Sequence, residues 1–549
     1  MKKRIILIIL FSLLAMVGAF LRFANSDALN LFFIPGTGRE LWRYVYANSL
    51  MLGGICLLLF VLIEPHIKRQ WSEWLSSRRV LWALLAVAFI CMRALYLTQS
   101  WSLAGALGYP IDDAWIHAVY ARNLANSMVL GFLPGIPDSG CSAPLWPLIL
   151  APGSRLGIGA VWNGYCWANI FWAASLWPLY LLSRKLLPDF HRAWLILLVV
   201  TVQPMLIWSS LSGLETGLFV LLVYGALFLY SGSERMKWMG ALLAGLGGVV
   251  RAEGWILIGA IFLVEIFRRK ASFGNALGRL GLSILIVLPW VVHNYVTIGN
   301  ILPQTFYAKS SPFSLAKVAT TAGETATFAL SPGMWAWTLL LPVAVWGWIK
   351  RREGFSLVLP VIIAFVLYWC AVARSVGFFW TYYRYLHPFM PFLILFTMVG
   401  VFRLFEDSLK HGEWIVRGAI TITITAGVFG STIYGYGVEN IEHQQVAMAV
   451  WMRDNVPEGE TVAANDVGAM GYFSEHRIFD LIGLVGENVR LRNATWQDLL
   501  QRGIHWAVIY PDWFPFLSSD AMAVPVTEFR LSRLTTAGRD RVVVLHNEK

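Results

Sequence analysis

Long apolar runs constrain this chain more than any other feature. Stretches at 4–23, 46–64, 80–97, 162–183, 193–209, 216–231, 239–250, 254–267, 278–295, 333–349, 355–373, 385–405 and 414–435 are nearly free of charge. A helix crosses the hydrocarbon core with about 20 apolar residues, fewer where it is bent or shielded by its neighbours. Thirteen such runs exceed what a soluble interior can bury, so lipid has to cover them. Only 14% of residues are Asp, Glu, Lys or Arg and 57% are apolar, against about 25% charged in soluble domains. These values argue against a soluble enzyme, a disordered scaffold and a nucleic-acid binder. The formal charge of +11 therefore needs no nucleic-acid partner, because cytoplasmic loops of membrane proteins carry surplus Lys and Arg. The five cysteines have no paired spacing, which excludes a disulfide framework and a thiolate zinc site.

The basic residues set the orientation. Lys68–Arg69 with Arg78–Arg79, Arg184–Lys185, Arg235 and Lys237, Arg268–Arg269–Lys270, Lys350–Arg351–Arg352, and Arg403 with Lys410 fall on alternate loops. The pattern requires the Pro-rich piece 143–157 not to cross, as a re-entrant or interfacial helix. The first run follows Lys2, Lys3 and Arg4 but lacks a small-residue cleavage site, so it reads as a retained anchor. We expect an α-helical polytopic protein of about 13 spans in a bacterial inner membrane, N-terminus inside and C-terminus outside. Residues 1–438 form the transmembrane domain. Residues 439–549 change composition and read as a small α/β domain outside, with a helix over 440–455, β runs at 461–465, 477–484, 505–510 and 541–545, and a helix at 496–502.

The outward loops hold the polar residues that helix packing does not explain. Asp112 and Asp113 are adjacent, and two carboxylates side by side repel unless they bind a cation, share a proton or face apart. The pair could supply a general base or hold a divalent Mg or Mn ion; alternatively Asp112 caps the helical run 113–127. His117 and Arg122 follow on that run. Glu215 sits at the mouth between two spans, and Arg251 and Glu253 flank a short break. Charges at membrane depth are costly and functional by default, although an internal ion pair would also explain these three. Asn294, Gln304, Tyr307 and Lys309 share one outward loop; Tyr383, Arg384 and His387 share another, where aromatics also suit a membrane interface. Arg384 is the stronger candidate there, because guanidinium grips phosphate bidentately. In the outer domain, Asn465–Asp466–Val467–Gly468 follows a β run, a turn able to cradle phosphate or sugar. No Walker loop, HExxH or GxSxG motif is present.

The segments DDAWIHAVYARNLANSMVLGFLPG, SAPLWPLIL, SGLETGLFVLL, RAEGWIL, NYVTIGNILPQTFYAK, YYRYLHPFMPFL and NDVGAMGYFSEHRIFDLIGL, in this order, resemble the GT-C superfamily of integral-membrane glycosyltransferases. Within it they resemble the branch of the mycobacterial terminal arabinofuranosyltransferases, over roughly residues 105–485. The resemblance implies transfer of a sugar, a pentose such as arabinofuranose, from a polyprenyl-phosphate donor to a glycan, lipid or protein acceptor outside the membrane. It implies Asp112 or Asp113 as base, and Arg251, Arg384 and Lys309 as ligands of the lipid phosphate. His117, Arg122, Glu215, Glu253, Asn294, Gln304, Tyr307, Tyr383 and His387 are the expected substrate contacts. The superfamily usually places its acidic motif after the first span, whereas here two additional spans, 4–23 and 46–64, come before the one that leads into it. The competing readings are a flippase for a lipid-linked sugar and an oligosaccharide ligase or polymerase using a pyrophosphate-linked donor.

Overall fold

The structure is a computed structural model that describes residues 2–23, 39–63, 77–267, 273–310, 312–372, 382–405, 409–487, 491 and 493–547. Loop residues Lys68, Arg69 and Arg268–Lys270, the side chain of Lys410 and the aromatic stretch 378–381 belong to the sequence reading but lie outside the described residues.

The chain is mainly helical up to residue 455. Helices run Lys2–Phe23 (α1), Arg39–Ile63 (α2), Arg78–Ala104 (α3), Asp113–Ser127 (α4), Leu145–Arg155 (α5), Ala160–Leu186 (α6), Phe190–Val202 (α7), Pro204–Ser210 (α8), Thr216–Tyr230 (α9) and Glu234–Val250 (α10). They continue as Glu253–Phe267 (α11), Phe273–Ile298 (α12), Gln304–Lys309 (α13), Leu315–Ala329 (α14), Trp335–Leu339 (α15), Leu341–Lys350 (α16), Phe355–Val372 (α17), Met390–Leu404 (α18) and Leu409–Asn440 (α19). Among the described residues, five helices are long and apolar enough to cross a membrane, or six if the bent pair α7–α8 is one span. The Pro-rich piece forms the eleven-residue α5.

The run 193–209 is not one straight rod: α7 and α8 meet at 63°. Pro204 cannot donate a backbone hydrogen bond, and the break exposes polar groups in an apolar bundle. Side chains repair it. The Gln203 carboxamide oxygen accepts from the N–H of Met205 (2.6 Å) and Leu206 (3.3 Å), while buried Arg93 donates Nη1 to the Thr201 carbonyl at 3.0 Å. Helix α19 does not stop where the composition changes. It continues through a π-helical turn, Ile441–Val446, into Ala447–Asn455 (α20), so one rod joins the bundle to the C-terminal sheet.

That sheet has strands Thr461–Ala464 (β1), Arg477–Asp480 (β2), Trp506–Ile509 (β3), Val524–Arg530 (β4) and Arg541–His546 (β5), in the order β2-β1-β3-β5-β4. The pairs β1–β2 and β1–β3 are parallel; β3–β5 and β5–β4 are antiparallel. Side chains alternate between two cores, as a period of two requires. Ala463, Ala507, Ile509, Val543 and Leu545 face a layer built around Trp496, Leu499, Phe514 and Leu517.

 Among the described residues three short helices complete the domain, Gly468–Phe473 (α21), Trp496–Leu500 (α22) and Pro515–Ser518 (α23). On the other face Val462, Ala464, Trp506, Val508, Val542 and Val544 join Met448, Ala449 and Met452 of α20 with Ile116 and Val119 of α4. One apolar core therefore runs from the sheet into the first outer helix of the bundle. Strand β4 was not expected from the sequence. It lies at the sheet edge with most residues exposed, and Pro525 is tolerated there because an edge strand pairs on one side only.

Candidate active site

Helix α4 carries the acidic motif. Gly105 ends α3 in the left-handed region (φ 69°), and its N–H reaches the Trp101 carbonyl. The chain then turns through buried Tyr109 and Pro110 into α4. Residues four apart share a helix face, so Asp113 and His117 look one way; Trp115, Val119 and Arg122 fall on the opposite side, with Asp112 between but nearer to them.

On the Asp113 side, Arg384 Nη2 donates to Asp113 Oδ2 at 2.5 Å, and Lys309 Nζ lies 3.8 Å from the same oxygen. The Tyr385 hydroxyl accepts from Arg384 (3.1 Å) and Lys309 (3.5 Å). The Asp113 and Lys309 side chains remain 32% and 29% exposed, whereas Arg384 is at 7%. A carboxylate and an ammonium thus stand at the mouth, with a guanidinium beneath them. Burial pushes the Asp113 carboxyl upward, but Arg384 and Lys309 outweigh it and hold the group well below the usual carboxylate range. Arg384 is aimed by an unusual turn: Tyr382 and Tyr383 have φ of 53° and 57°, a conformation costing a bulky residue about 1–3 kcal/mol. Packing fixes it, with Trp42 against both tyrosine rings and Trp208 against Tyr382. His387 contributes by holding the Tyr382 carbonyl at 2.9 Å from Nε2.

Arg251, also buried, lies in the break between α10 and α11. It donates Nη1 to Glu215 at 2.8 Å and Nη2 to Glu253 at 2.6 Å. His117 Nε2 is 3.5 Å from the second Glu215 oxygen, and burial lowers the pKa of this ring so that it is neutral near pH 7. The Arg251 and Arg384 guanidiniums lie 5.9 and 5.0 Å from the centre of the Tyr385 ring, which separates them. Three cations, Arg251, Lys309 and Arg384, face three carboxylates, Asp113, Glu215 and Glu253.

Several expectations from the sequence need correction. Asp112 does not cap α4, since its side chain makes no hydrogen bond to that helix. Its two oxygens accept from the backbone N–H of Gly468 (2.7 Å) and Ala469 (2.8 Å), at the start of α21. Asp112 and Asp113 thus turn to different partners, so the pair does not fit a divalent cation. Among the described residues no group of three or more His, Cys, Asp or Glu is arranged to hold a metal. The Asn465–Gly468 turn is no phosphate cradle, because its free N–H groups serve Asp112. Arg251 is not open for phosphate either, being buried against two carboxylates.

The remaining residues divide between site and scaffold. Arg122 donates to the carbonyls of Gly471 and Tyr472, both at 2.8 Å, and Gln304 donates to the Gly483 carbonyl at 3.1 Å; both fasten the C-terminal domain instead of lining the cleft. Asn294 is buried and donates to the Ile301 carbonyl at 3.3 Å. The Tyr383 hydroxyl turns to Thr327 at 2.8 Å, away from Asp113. Tyr307 is half-buried on α13, two residues from Lys309. Tyr385 was missed as a site residue, although its position next to Arg384 in an aromatic run was a usable signal.

The fold and this charged group define a class: a multi-pass helical membrane protein in which Asp113, Glu215 and Glu253 are paired with Arg251, Lys309 and Arg384. Comparison with solved structures finds the same architecture elsewhere. The chain is similar to ArnT from Cupriavidus metallidurans in the apo state, with a TM-score of 0.59 at 14% identity, over 85% of this chain and 98% of that one. It is also similar to the same protein bound to undecaprenyl phosphate (TM-score 0.54, 13% identity, 84% and 97% covered). An oligosaccharyltransferase from Archaeoglobus fulgidus, solved in complex with Zn and sulfate, gives 0.51 at 12% identity, over 77% and 67% of the two chains. These likenesses establish the fold alone. Residues 439–545 match a family described as a domain of unknown function (DUF8728). No curated protein sequence matches the chain.

Proposed function

We propose that the chain is a glycosyltransferase that moves a sugar from a polyprenyl-phosphate donor to a glycan, lipid or protein acceptor at the outer face of the membrane. The observation that carries this reading is the Asp113–Arg384–Lys309 group at the cleft mouth, drawn from three separate outer segments. The GT-C fold supports it, as does the undecaprenyl phosphate bound by one structural neighbour. The arabinofuranosyltransferase-like motifs make a pentose the first donor sugar to test. The full topology belongs to the same proposal: 13 spans, an N-terminus inside, a bacterial inner membrane, and a division into membrane and outer domains near residue 438.

The chemistry follows from the charges. Before donor binds, Arg384 and Lys309 neutralise Asp113. A phosphate is a strong partner for a guanidinium fork, and as it draws these cations toward itself the Asp113 carboxylate is released. That carboxylate takes the proton of the acceptor hydroxyl, the oxygen attacks the anomeric carbon, and the carbon–oxygen bond to phosphate breaks with its electron pair leaving on the phosphate. Arg384 and Lys309 stabilise the departing charge. Attack opposite the leaving group inverts the anomeric centre. Arg251, held by Glu215 and Glu253, forms the floor and keeps Tyr385 between the two guanidiniums. Because the base is released by the donor, donor binds before acceptor.

The test supplies purified protein in proteoliposomes with radiolabelled polyprenyl-phosphate sugars and an envelope extract. Labelled product with loss of donor supports the proposal. Labelled lipid crossing the bilayer without transfer identifies a flippase and rejects it.

A further inference from the structure

Helix α4 is gripped on its far side by the C-terminal domain, 356 residues away in sequence at the Asp112–Gly468 contact. The grip has three parts. The Asp112 carboxylate takes the first N–H groups of α21. The Arg122 guanidinium, near the other end of α4, takes carbonyls at the end of α21. Between them the Trp115 ring packs on Tyr472 and Phe473, with centroids 5.0 and 4.6 Å apart. A carboxyl group at the start of α21 and a guanidinium at its end both suit the polarity of the helix, and burial together with Asp466 pushes the Asp112 carboxyl up to about 8. Gly468 permits the approach, since a Cβ there would collide with the Asp112 carbonyl oxygen and lie 2.7 Å from its carboxylate. Asp113 immediately follows Asp112, so whatever fixes Asp112 fixes where α4 begins and which way Asp113 points.

We infer that Asp112 is a positioning residue: through α21, the C-terminal domain sets the start and rotation of α4 and so holds Asp113 against Arg384 and Lys309. This rests on the glycosyl-transfer reading for its kinetic consequence but not for the contact itself. The domain is then a working part of the site and not an appended module.

The test compares full-length Asp112→Asn, Gly468→Ala and the double variant, with Asp113→Asn alongside, in steady-state transfer and in hydrogen exchange of residues 113–121. Asp112→Asn turns an acceptor into a donor facing an N–H, and Gly468→Ala attacks the contact from the other side. A misplacement of about 1 Å costs on the order of 10²-fold in turnover. We expect that loss of kcat in both single variants, donor KM changed by less than about twofold, faster exchange in α4, and a double variant no worse than the poorer single one. Should Gly468→Ala keep wild-type kcat while Asp112→Asn loses it, Asp112 acts directly and the inference is overturned. Unchanged exchange in α4 in Gly468→Ala overturns it too. If Asp113→Asn retains full transfer, the base assignment fails instead, and the exchange result alone then decides the inference.

Discussion

Replacing Arg384 by Gln removes the cation that binds Asp113 and, in the proposed reaction, the leaving phosphate. Two unit charges about 4 Å apart attract by about 4 kcal/mol at an effective dielectric constant of 20. Asp113 is about one-third exposed, and solvent screening reduces the resting ion pair to about 2 kcal/mol or less. The transition state depends on Arg384 more, because charge develops there against a donor fixed in advance. Loss of one such donor costs about 10²–10³-fold in kcat, or about 3–4 kcal/mol. Lys309 serves as the internal comparison. At 3.8 Å and 29% exposure its attraction is closer to the aqueous value of about 1 kcal/mol, so Lys309→Gln should lower kcat only about fivefold. Arg384→Lys keeps the charge but loses the fork that reaches both Asp113 and Tyr385, and should fall between the two. The assay is single-turnover consumption of labelled donor with acceptor in excess. A Lys309→Gln defect larger than that of Arg384→Gln, or wild-type turnover in both, would refute the assignment of the guanidinium to the leaving phosphate.

Other outcomes follow from the same geometry. Because Asp113 is held below its ordinary value of 3.8, the acid limb of kcat/KM should lie below pH 4 in the wild type. Removing Arg384 leaves burial opposed only by the weaker cation, so the limb in Arg384→Gln moves to higher pH. Helices α16 and α18 touch through glycines: a Cβ on Gly400 would meet Ala344 Cα at 2.6 Å. Gly400→Val should therefore destabilise the bundle by about 1–3 kcal/mol, read as a lower Tm in detergent. In a background lacking the five native cysteines, Glu458→Cys should react with an impermeant maleimide from outside, and Arg351→Cys should not; the reverse pattern would invert the topology.

The sequence carried the mainly helical character of the bundle, because a lipid-facing helix must be apolar for its whole length, but of the 13 runs only five or six described helices are long and apolar enough to cross a membrane. It also carried α4 and most of the buried strands, where period and composition act locally. Contacts between distant segments were not legible. Asp112 looked like a local cap because helix caps are common, and nothing near it in sequence indicates α21. For Arg251 the sequence offered both a phosphate ligand and an internal ion pair without deciding between them, and the structure pairs it with Glu215 and Glu253. Strand β4 was hidden for the opposite reason: as an exposed edge it has no apolar alternation to display. Asp113, Arg384 and Lys309 were each singled out by charge in an expected outward loop, and the fold brings both cations within 4 Å of the Asp113 carboxylate.

The most direct measurement is donor consumption by Asp113→Asn in proteoliposomes, with donor binding measured on the same preparation. If Asp113 is the base, the variant binds polyprenyl-phosphate sugar and consumes it at least about 10²-fold more slowly than the wild type. A variant that binds donor and transfers its sugar at the wild-type rate contradicts the account.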